Sequence, residues 1–348
     1  MGAARRVAIV GAGVMGAEIA QAVAAARMNV VLVDANAEAL AHGRAHIEAI
    51  GARRVKRGRL SETEASAILG RVATGDGAEA FADCDVGIEA VTERLEVKHA
   101  VFAQLDAALP PGALLASNTS GLSITALAEG TGRPDRVLGL HFFNPASVMR
   151  LVEVIRGAHT SDAAVDEGLA FVEALGKTPV VVRECPGFLV NRVLCRALSA
   201  AYREADANGA DRLAADAAVV AAGPAPMGAF ALGDLIGLDT LGHIIRDLRE
   251  AYGDRFDDAG TVDAEVAAGR LGAKSGGGFL PAGAAARDAP EPVPDDAARA
   301  VAAAYYAGAR DEAERCRDEG IAAEDDIATA MVLGCGWEAG PLQANPAA

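Results

Sequence analysis

Val7-Ala8-Ile9-Val10-Gly11-Ala12-Gly13-Val14-Met15-Gly16-Ala17-Glu18-Ile19-Ala20-Gln21 stands near the N-terminus of a 348-residue chain. Four apolar β-formers run into three glycines at the G-x-G-x-x-G spacing, and helix-forming residues follow. In a strand–turn–helix of this kind the first glycine permits the tight turn. The second lets a pyrophosphate approach the backbone, and the third lets the helix pack on the strand. The helix N-terminus offers N–H groups and a partial positive charge to phosphates. Asp34 stands 18 residues after Gly16, at the end of the second apolar run Val30-Val31-Leu32-Val33. A carboxylate there accepts hydrogen bonds from ribose hydroxyls and repels a 2′-phosphate, which points to NAD over NADP. FAD is the other occupant such a turn serves. The expected nucleotide contacts are Gly11, Gly13, Val14, Met15, Gly16 and Asp34.

Further strand-like runs cover 85–88, 113–116, 137–140 and 180–182, with helical stretches between them. That alternation predicts a parallel, doubly wound α/β sheet. At Cys185-Pro186-Gly187 the strand signals stop. Pro186 suits the first turn of a helix, and helices are expected over 186–208, 211–222, 230–252, 261–271 and within 295–340. Ala289-Pro290-Glu291-Pro292-Val293-Pro294 reads as a linker. The expected fold is therefore an α/β domain over 1–184, an all-α domain over 185–284, and a further helical segment over 295–348. That segment looks like a partial second copy of the helical domain. Ala217–Gly223 before Met227-Gly228 resembles Thr329–Gly334 before Gly340, at an offset of 112 residues.

The net charge of -16 repels phosphate backbones and argues against nucleic acid as a partner. Five cysteines form no CxxC pair, which reads as buried thiols in a reducing compartment and no metal site. No signal-peptide pattern and no membrane-spanning run is seen, so the expected location is cytoplasmic.

Chemistry-bearing residues cluster where strands end. Ser117-Asn118-Thr119-Ser120 follows one strand, Leu140-His141-Phe142-Phe143-Asn144-Pro145 ends another, and Leu151-Val152-Glu153-Val154-Ile155 comes next. Ligands of open α/β sheets bind at the carboxyl ends of strands. His141 lies at such an end. By itself it could be a packed core histidine, but a carboxylate such as Glu153 on one ring nitrogen would orient the ring and leave the other nitrogen free as a base.

With these motifs in order, the sequence resembles the 3-hydroxyacyl-CoA dehydrogenase family from about residue 5 to 280. The resemblance rests on GAGVMGAEIAQ, EAVTERLEVK, SNTSGLSI, GLHFFNP with MRLVEVI, TPVVVRECPGFLVNR, PMGAFALGDLIGLDT and KSGGGF. It implies a Rossmann-like NAD-binding domain and NAD-dependent oxidation of an (S)-3-hydroxyacyl thioester, or the reverse reduction. By the same resemblance His141 is the catalytic base, Glu153 its partner, Ser120 a hydroxyl near the substrate oxygen, and Asn191 an amide from the helical domain. Glu93, Lys98 and Asn144 match positions along the cofactor, and Lys274 matches a lysine near it. A dehydrogenase of non-thioester hydroxy acids, or a binding protein that kept the fold, are the competing readings.

Arg53-Arg54-Val55-Lys56-Arg57-Gly58-Arg59 packs five cations into an acidic chain. They form a solvated helix face or meet the phosphates of the substrate's carrier, coenzyme A or an acyl carrier protein. The segment matches a helical excursion that touches coenzyme A in the family, although a serine often found there is missing around Ile50-Gly51-Ala52. The family also implies homodimers joined through helical domains. The extra segment at 295–348 would make a monomer (a pseudo-dimer) or thicken the dimer.

Overall fold

The computed structural model describes residues 5–75, 78–281 and 294–343. Nearly all of the proline-rich stretch 289–294 lies outside them. Two compact units divide the chain, Met1–Glu184 and Cys185–Ala348.

In the first unit the chain runs β1 (Arg6–Val10), α1 (Val14–Ala25), β2 (Asn29–Val33), α2 (Ala37–Lys56), α3 (Glu62–Leu69), β3 (Val72–Thr74), β4 (Val86–Glu89), α4 (Leu95–Ala108), β5 (Leu114–Ser117), α5 (Ile124–Glu129), β6 (Val137–Phe142), β7 (Leu151–Arg156), α6 (Asp162–Ala174) and β8 (Thr178–Arg183). The strands form one sheet in the order β3-β2-β1-β4-β5-β6-β7-β8. Its central strands are Val, Ile and Leu runs buried along their length, as helices on both faces require. Local signals define the helix starts. Asn36 caps α2, Ser61 and Glu64 form a reciprocal capping box on α3, and Ser161 caps α6.

The expectation of a wholly parallel sheet needs correction at β7. It pairs antiparallel to β6, and β8 then runs parallel to β7. The connection from Phe142 to Leu151 is too short to hold a crossover helix, so the chain can only return antiparallel. β3 is also unforeseen. It is a three-residue edge strand with only Val72 buried, too short to show a period.

The second unit is helical: α7 (Val190–Asn208), α8 (Arg212–Ala222), α9 (Ala229–Ile236), α10 (Leu238–Tyr252), α11 (Thr261–Ala267), α12 (Asp296–Asp318) and α13 (Glu324–Cys335). Three expectations shift here. No helix starts at Pro186, because Gly187 (φ 75°) and Phe188 (φ 50°) are left-handed and α7 begins at Val190. The stretch 230–252 breaks at Gly237 (φ 95°) into α9 and α10. The helix expected to reach 271 ends at Ala267, just before Gly269 (φ 75°).

α12 packs against α7 and α8, and α13 packs against α7. The stripe Ala298, Val301, Ala302, Tyr305 and Ala309 is buried throughout. Tyr306 Oη donates to the Val219 carbonyl at 2.8 Å and accepts from the Ala225 N–H at 3.2 Å, which ties α12 to the end of α8. The offset of 112 residues recurs in the packing. α13 starts at Glu324 and α8 at Arg212. A Cβ on Gly228 would lie 2.2 Å from the Asp216 Cβ, and one on Gly340 would lie 2.6 Å from the Ala328 Cβ, so the same pair of positions makes the same close approach in both stretches. Ala328 has no flexible end to move aside. Gly340→Ala should therefore destabilise the protein by about 1–3 kcal/mol, read as a lower urea midpoint with an unchanged m-value.

Candidate active site

The carboxyl ends of β1, β2, β4, β5 and β6 converge on one edge of the sheet, and the first feature there is a cradle for a dinucleotide. Gly11 has φ 107°, and a Cβ on it would lie 2.4 Å from the Ala90 carbonyl oxygen; a Cβ on Gly16 would lie 1.8 Å from the Gly11 oxygen. Those two glycines let the turn close on β4 and α1 on the turn. Gly13 has nothing within 4 Å of its Cβ position, and it is the N-cap of α1 with no side chain capping the helix. Open backbone and an uncapped first turn suit a pyrophosphate. Val14 beside it is exposed and Met15 half-buried. Asp34, at the end of β2, accepts from Ala12 N–H at 2.8 Å on one oxygen and from Asn36 N–H at 2.9 Å on the other. Each oxygen keeps a lone pair for a ribose hydroxyl while the carboxylate holds the glycine turn. The residues present thus fit a dinucleotide.

The second feature is an acid–base pair. His141 and Glu153 lie directly opposite in the β6–β7 register, so both side chains leave the same face. His141 Nδ1 is 2.6 Å from Glu153 Oε2; His141 is 5% exposed and Glu153 wholly buried. The Phe143 ring packs 4.6 Å from the imidazole. Asn118 Oδ1 accepts from the Phe142 N–H at 2.9 Å, which ties the loop after β5 to the end of β6.

The third feature is a polar network that joins Glu93 and Lys98 to Glu89 and Ser117, two residues that sequence reading left unassigned. Glu89 and Ser117 are register partners at the ends of β4 and β5, and Ser117 Oγ donates to Glu89 at 2.5 Å. Lys98, 1% exposed on the first turn of α4, reaches Glu89 at 2.7 Å and Glu93 at 3.1 Å. Glu93 in turn accepts from the Thr119 hydroxyl and, at 2.8 Å, from the Ser120 N–H. Burial works to raise the Glu93 pKa, but the Lys98 ammonium and those hydrogen bonds outweigh it and hold the carboxyl below its usual range. Glu93 and Lys98 are thus brought together with Ser120, whose residue is exposed. The signal for Glu89 was its place at the carboxyl end of the β4 run, in the same motif as Glu93 and with Lys98 nine residues on.

A second unforeseen cluster adjoins the motif. Glu18 is buried on α1, accepts from Ser147 N–H at 2.9 Å, and lies 3.1 Å from His46 Nε2. Burial raises its pKa, and the bonds from Ser147 and His46 overcome that and keep it low.

Asn144 is exposed on the loop after β6. Asn191 is half-buried on the first turn of α7, and Lys274 pairs with Asp239 at 2.6 Å on a short turn, both in the second unit. Arg53, Arg54 and Lys56 occupy the last turn of α2 and Arg57 caps it, where the helix dipole favours cations. Among the described residues no salt bridge engages them. Lys56 borders a groove of about 470 Å³ between α1, α2 and α3. Among the described residues no cluster could hold a metal ion, and no helix is long and apolar enough to cross a membrane.

Comparison with known proteins bears directly on this geometry. Residues 6–185 match the NAD binding domain of 3-hydroxyacyl-CoA dehydrogenase, and 187–281 match its C-terminal domain. The chain belongs to the 3-hydroxyacyl-CoA dehydrogenase family. It is an NAD-dependent oxidoreductase of that family, with a Rossmann-like domain and then a helical one. A probable 3-hydroxybutyryl-CoA dehydrogenase of Bacillus subtilis is 40% identical over 276 residues, which are 79% of this chain and 96% of that protein. The crystal structure of 3-hydroxybutyryl-CoA dehydrogenase from Escherichia coli superposes with a TM-score of 0.89 at 32% identity, covering 98% of this chain and 90% of that one. The (S)-3-hydroxybutyryl-CoA dehydrogenase of Ralstonia eutropha gives 0.76 at 38% identity, covering 80% and 99%.

Proposed function

We propose that the protein interconverts an (S)-3-hydroxyacyl-CoA and the 3-ketoacyl-CoA, with His141 as the acid–base and Glu153 as its partner. The observation that carries this reading is the buried His141–Glu153 pair at the carboxyl end of β6. Glu153 accepting from Nδ1–H selects the tautomer in which Nε2 carries the lone pair. In the oxidative direction the substrate's 3-hydroxyl gives its proton to Nε2, and Glu153 stabilises the imidazolium. The chemistry that NAD would supply at this site is acceptance of the hydride from C3. In reduction the imidazolium returns its proton to the oxygen at C3. The Ser120 hydroxyl and the Asn191 amide hydrogen-bond the substrate oxygens, Asp34 takes the ribose hydroxyls, and Glu93, Lys98, Asn144 and Lys274 line the cofactor. The names of the relatives favour a four-carbon acyl group. NADH oxidation at 340 nm should be fast with acetoacetyl-CoA and slow with free acetoacetate and with the acyl-carrier-protein thioester. His141→Gln should lower kcat by about 10²–10⁴-fold and leave NADH binding intact. A variant that keeps more than about a tenth of kcat would show that His141 is not the base.

The carrier is read from Arg53, Arg54, Lys56 and Arg57. With Arg59 they make five cations that no salt bridge engages among the described residues; in a chain of net charge -16 they form a local anion-attracting patch, and coenzyme A brings the phosphates. An acidic carrier protein is the second reading that the same charges support. Arg54→Glu with Arg57→Glu should raise KM for acetoacetyl-CoA about tenfold at low salt, weaken its salt dependence and leave kcat nearly unchanged. An unaltered KM would return the segment to a solvated helix face.

The C-terminal segment 294–343 reads as a truncated second copy of the helical domain that covers α7 in place of a partner subunit, so that the chain is a monomer. Its packing supports this. α12 meets α8 as α13 meets α7, the reciprocal pattern of a two-fold interface. The likeness to the Escherichia coli structure extends over 98% of this chain, whereas that to the Ralstonia eutropha structure stops at 80%. Light scattering should find a monomer for the full chain, and a dimer or aggregate for a chain ending at Ala289. A full-length dimer joined through α7 would sink this reading, and the homodimer would take its place.

A further inference from the structure

Arg192 is wholly buried, one position beyond Asn191 on the first turn of α7. Its Nε donates to Glu312 Oε1 at 2.7 Å, and its two terminal nitrogens donate to the two oxygens of Glu319 at 2.8 and 2.9 Å. Glu312 lies on α12 and Glu319 is its C-cap. Arg255 grips the other side of Glu312, donating to both oxygens at 2.8 and 3.2 Å. Both guanidiniums pack on one ring: the Arg192 carbon is 4.3 Å and the Arg255 carbon 4.7 Å from the centroid of Tyr252. The Tyr252 hydroxyl donates to the Pro186 carbonyl at 3.2 Å.

These bonds make a closed circuit. Two carboxylates from the C-terminal segment fix two arginines, the arginines fix a ring, and the ring fixes the turn from which α7 starts. That turn holds Phe188 at φ 50°, a conformation that a residue with a side chain keeps only when its surroundings impose it. Two cations and two anions balance, Arg192 and Glu312 at the centre are removed from water, and forked arginine–carboxylate bonds are directional as well as strong. A displaced Glu312 or Glu319 therefore moves the turn rather than merely loosening it.

We propose that the C-terminal segment is a working part of the reaction site: Glu312 and Glu319 are positioning residues that hold turn 186–191, through Arg192, Arg255 and Tyr252, so that Asn191 meets the substrate. The proposal rests on the assignment of Asn191 made above. It goes beyond the covering of α7, since a cover needs apolar area and not a directed ionic circuit that ends beside a site residue.

The test is a double-mutant cycle on the full chain, read as kcat and KM with acetoacetyl-CoA and as NADH affinity by fluorescence. Glu312→Gln removes a wholly buried charge that Arg192 and Arg255 share and can fail to fold, which a thermal melt reports. Glu319→Gln is then decisive, because Glu319 is 43% exposed and tolerates the change. The expected result is a fall in kcat of about fivefold to tenfold for Glu319→Gln, with NADH affinity within about twofold of wild type, and little further loss when it is added to Asn191→Ala. A purely structural role would lower kcat by the same factor in both backgrounds, and that outcome overturns the proposal. An unchanged kcat in folded Glu319→Gln overturns it too. If Asn191→Ala alone leaves kcat unchanged, the Asn191 assignment fails and takes this proposal with it. If Asn191→Ala lowers kcat and Glu319→Gln does not, only the proposal fails.

Discussion

The register of β6 against β7 is the constraint on which the site depends. Because His141 stands directly opposite Glu153, a carboxylate wholly removed from water meets the imidazole at 2.6 Å. A slip of one residue would turn Glu153 to the other face of the sheet and bury it among apolar side chains. Burial of an ion without a partner is costly, on the order of several kcal/mol. The pair therefore works in both directions: it orients the histidine, and it penalises every register but its own. The short return from Phe142 to Leu151 makes the antiparallel pairing unavoidable.

Around that pair the sheet edge is stiffened by groups that do not themselves need to touch substrate. Glu89, Lys98 and Ser117 are buried polar side chains whose hydrogen bonds satisfy one another. Through Glu93 they reach the backbone of Ser120 and the hydroxyl of Thr119. Asn118 joins the same loop to β6. A paired network in low dielectric is rigid, and here it holds the loop after β5 in one place. The glycine turn follows the same logic by other means. Gly11 and Gly16 are positions where a methyl group would collide with backbone, so the turn can close on β4 and on α1 only with glycine there.

The helical unit is built around α7, and the C-terminal segment is integral to it rather than appended. α12 buries an apolar stripe and delivers Glu312, itself wholly buried, to two arginines. In the short relatives the matched region makes up 96% of the protein, so this stretch is additional here. An added segment that supplied only hydrophobic cover could drift in sequence. One that supplies the counter-charges of a buried arginine is constrained further, because losing either carboxylate leaves the buried cation only partly compensated.

Much of this was legible in the sequence. The strand–glycine–helix motif, Asp34 and the alternation of strands with helices depend on neighbours a few residues apart, and a linear pattern records such neighbours faithfully. The stripe on α12 is legible for the same reason. The family resemblance brought His141, Glu153, Ser120 and Asn191 into view as a set. Other features needed the folded chain. The start of α7 moved to Val190 because two left-handed residues interrupt it, and the reversal of β7 followed from a connection length rather than from any period. The partners of Lys98 and Glu89 come from different strand ends, and those of Arg192 lie 120 and 127 positions away. The sequence by itself determined most of the strands and helices and where a dinucleotide can sit, since those are set by local stereochemistry. Only the tertiary structure decided which charge meets which, because an ion pair is a contact in space that carries no signature along the chain.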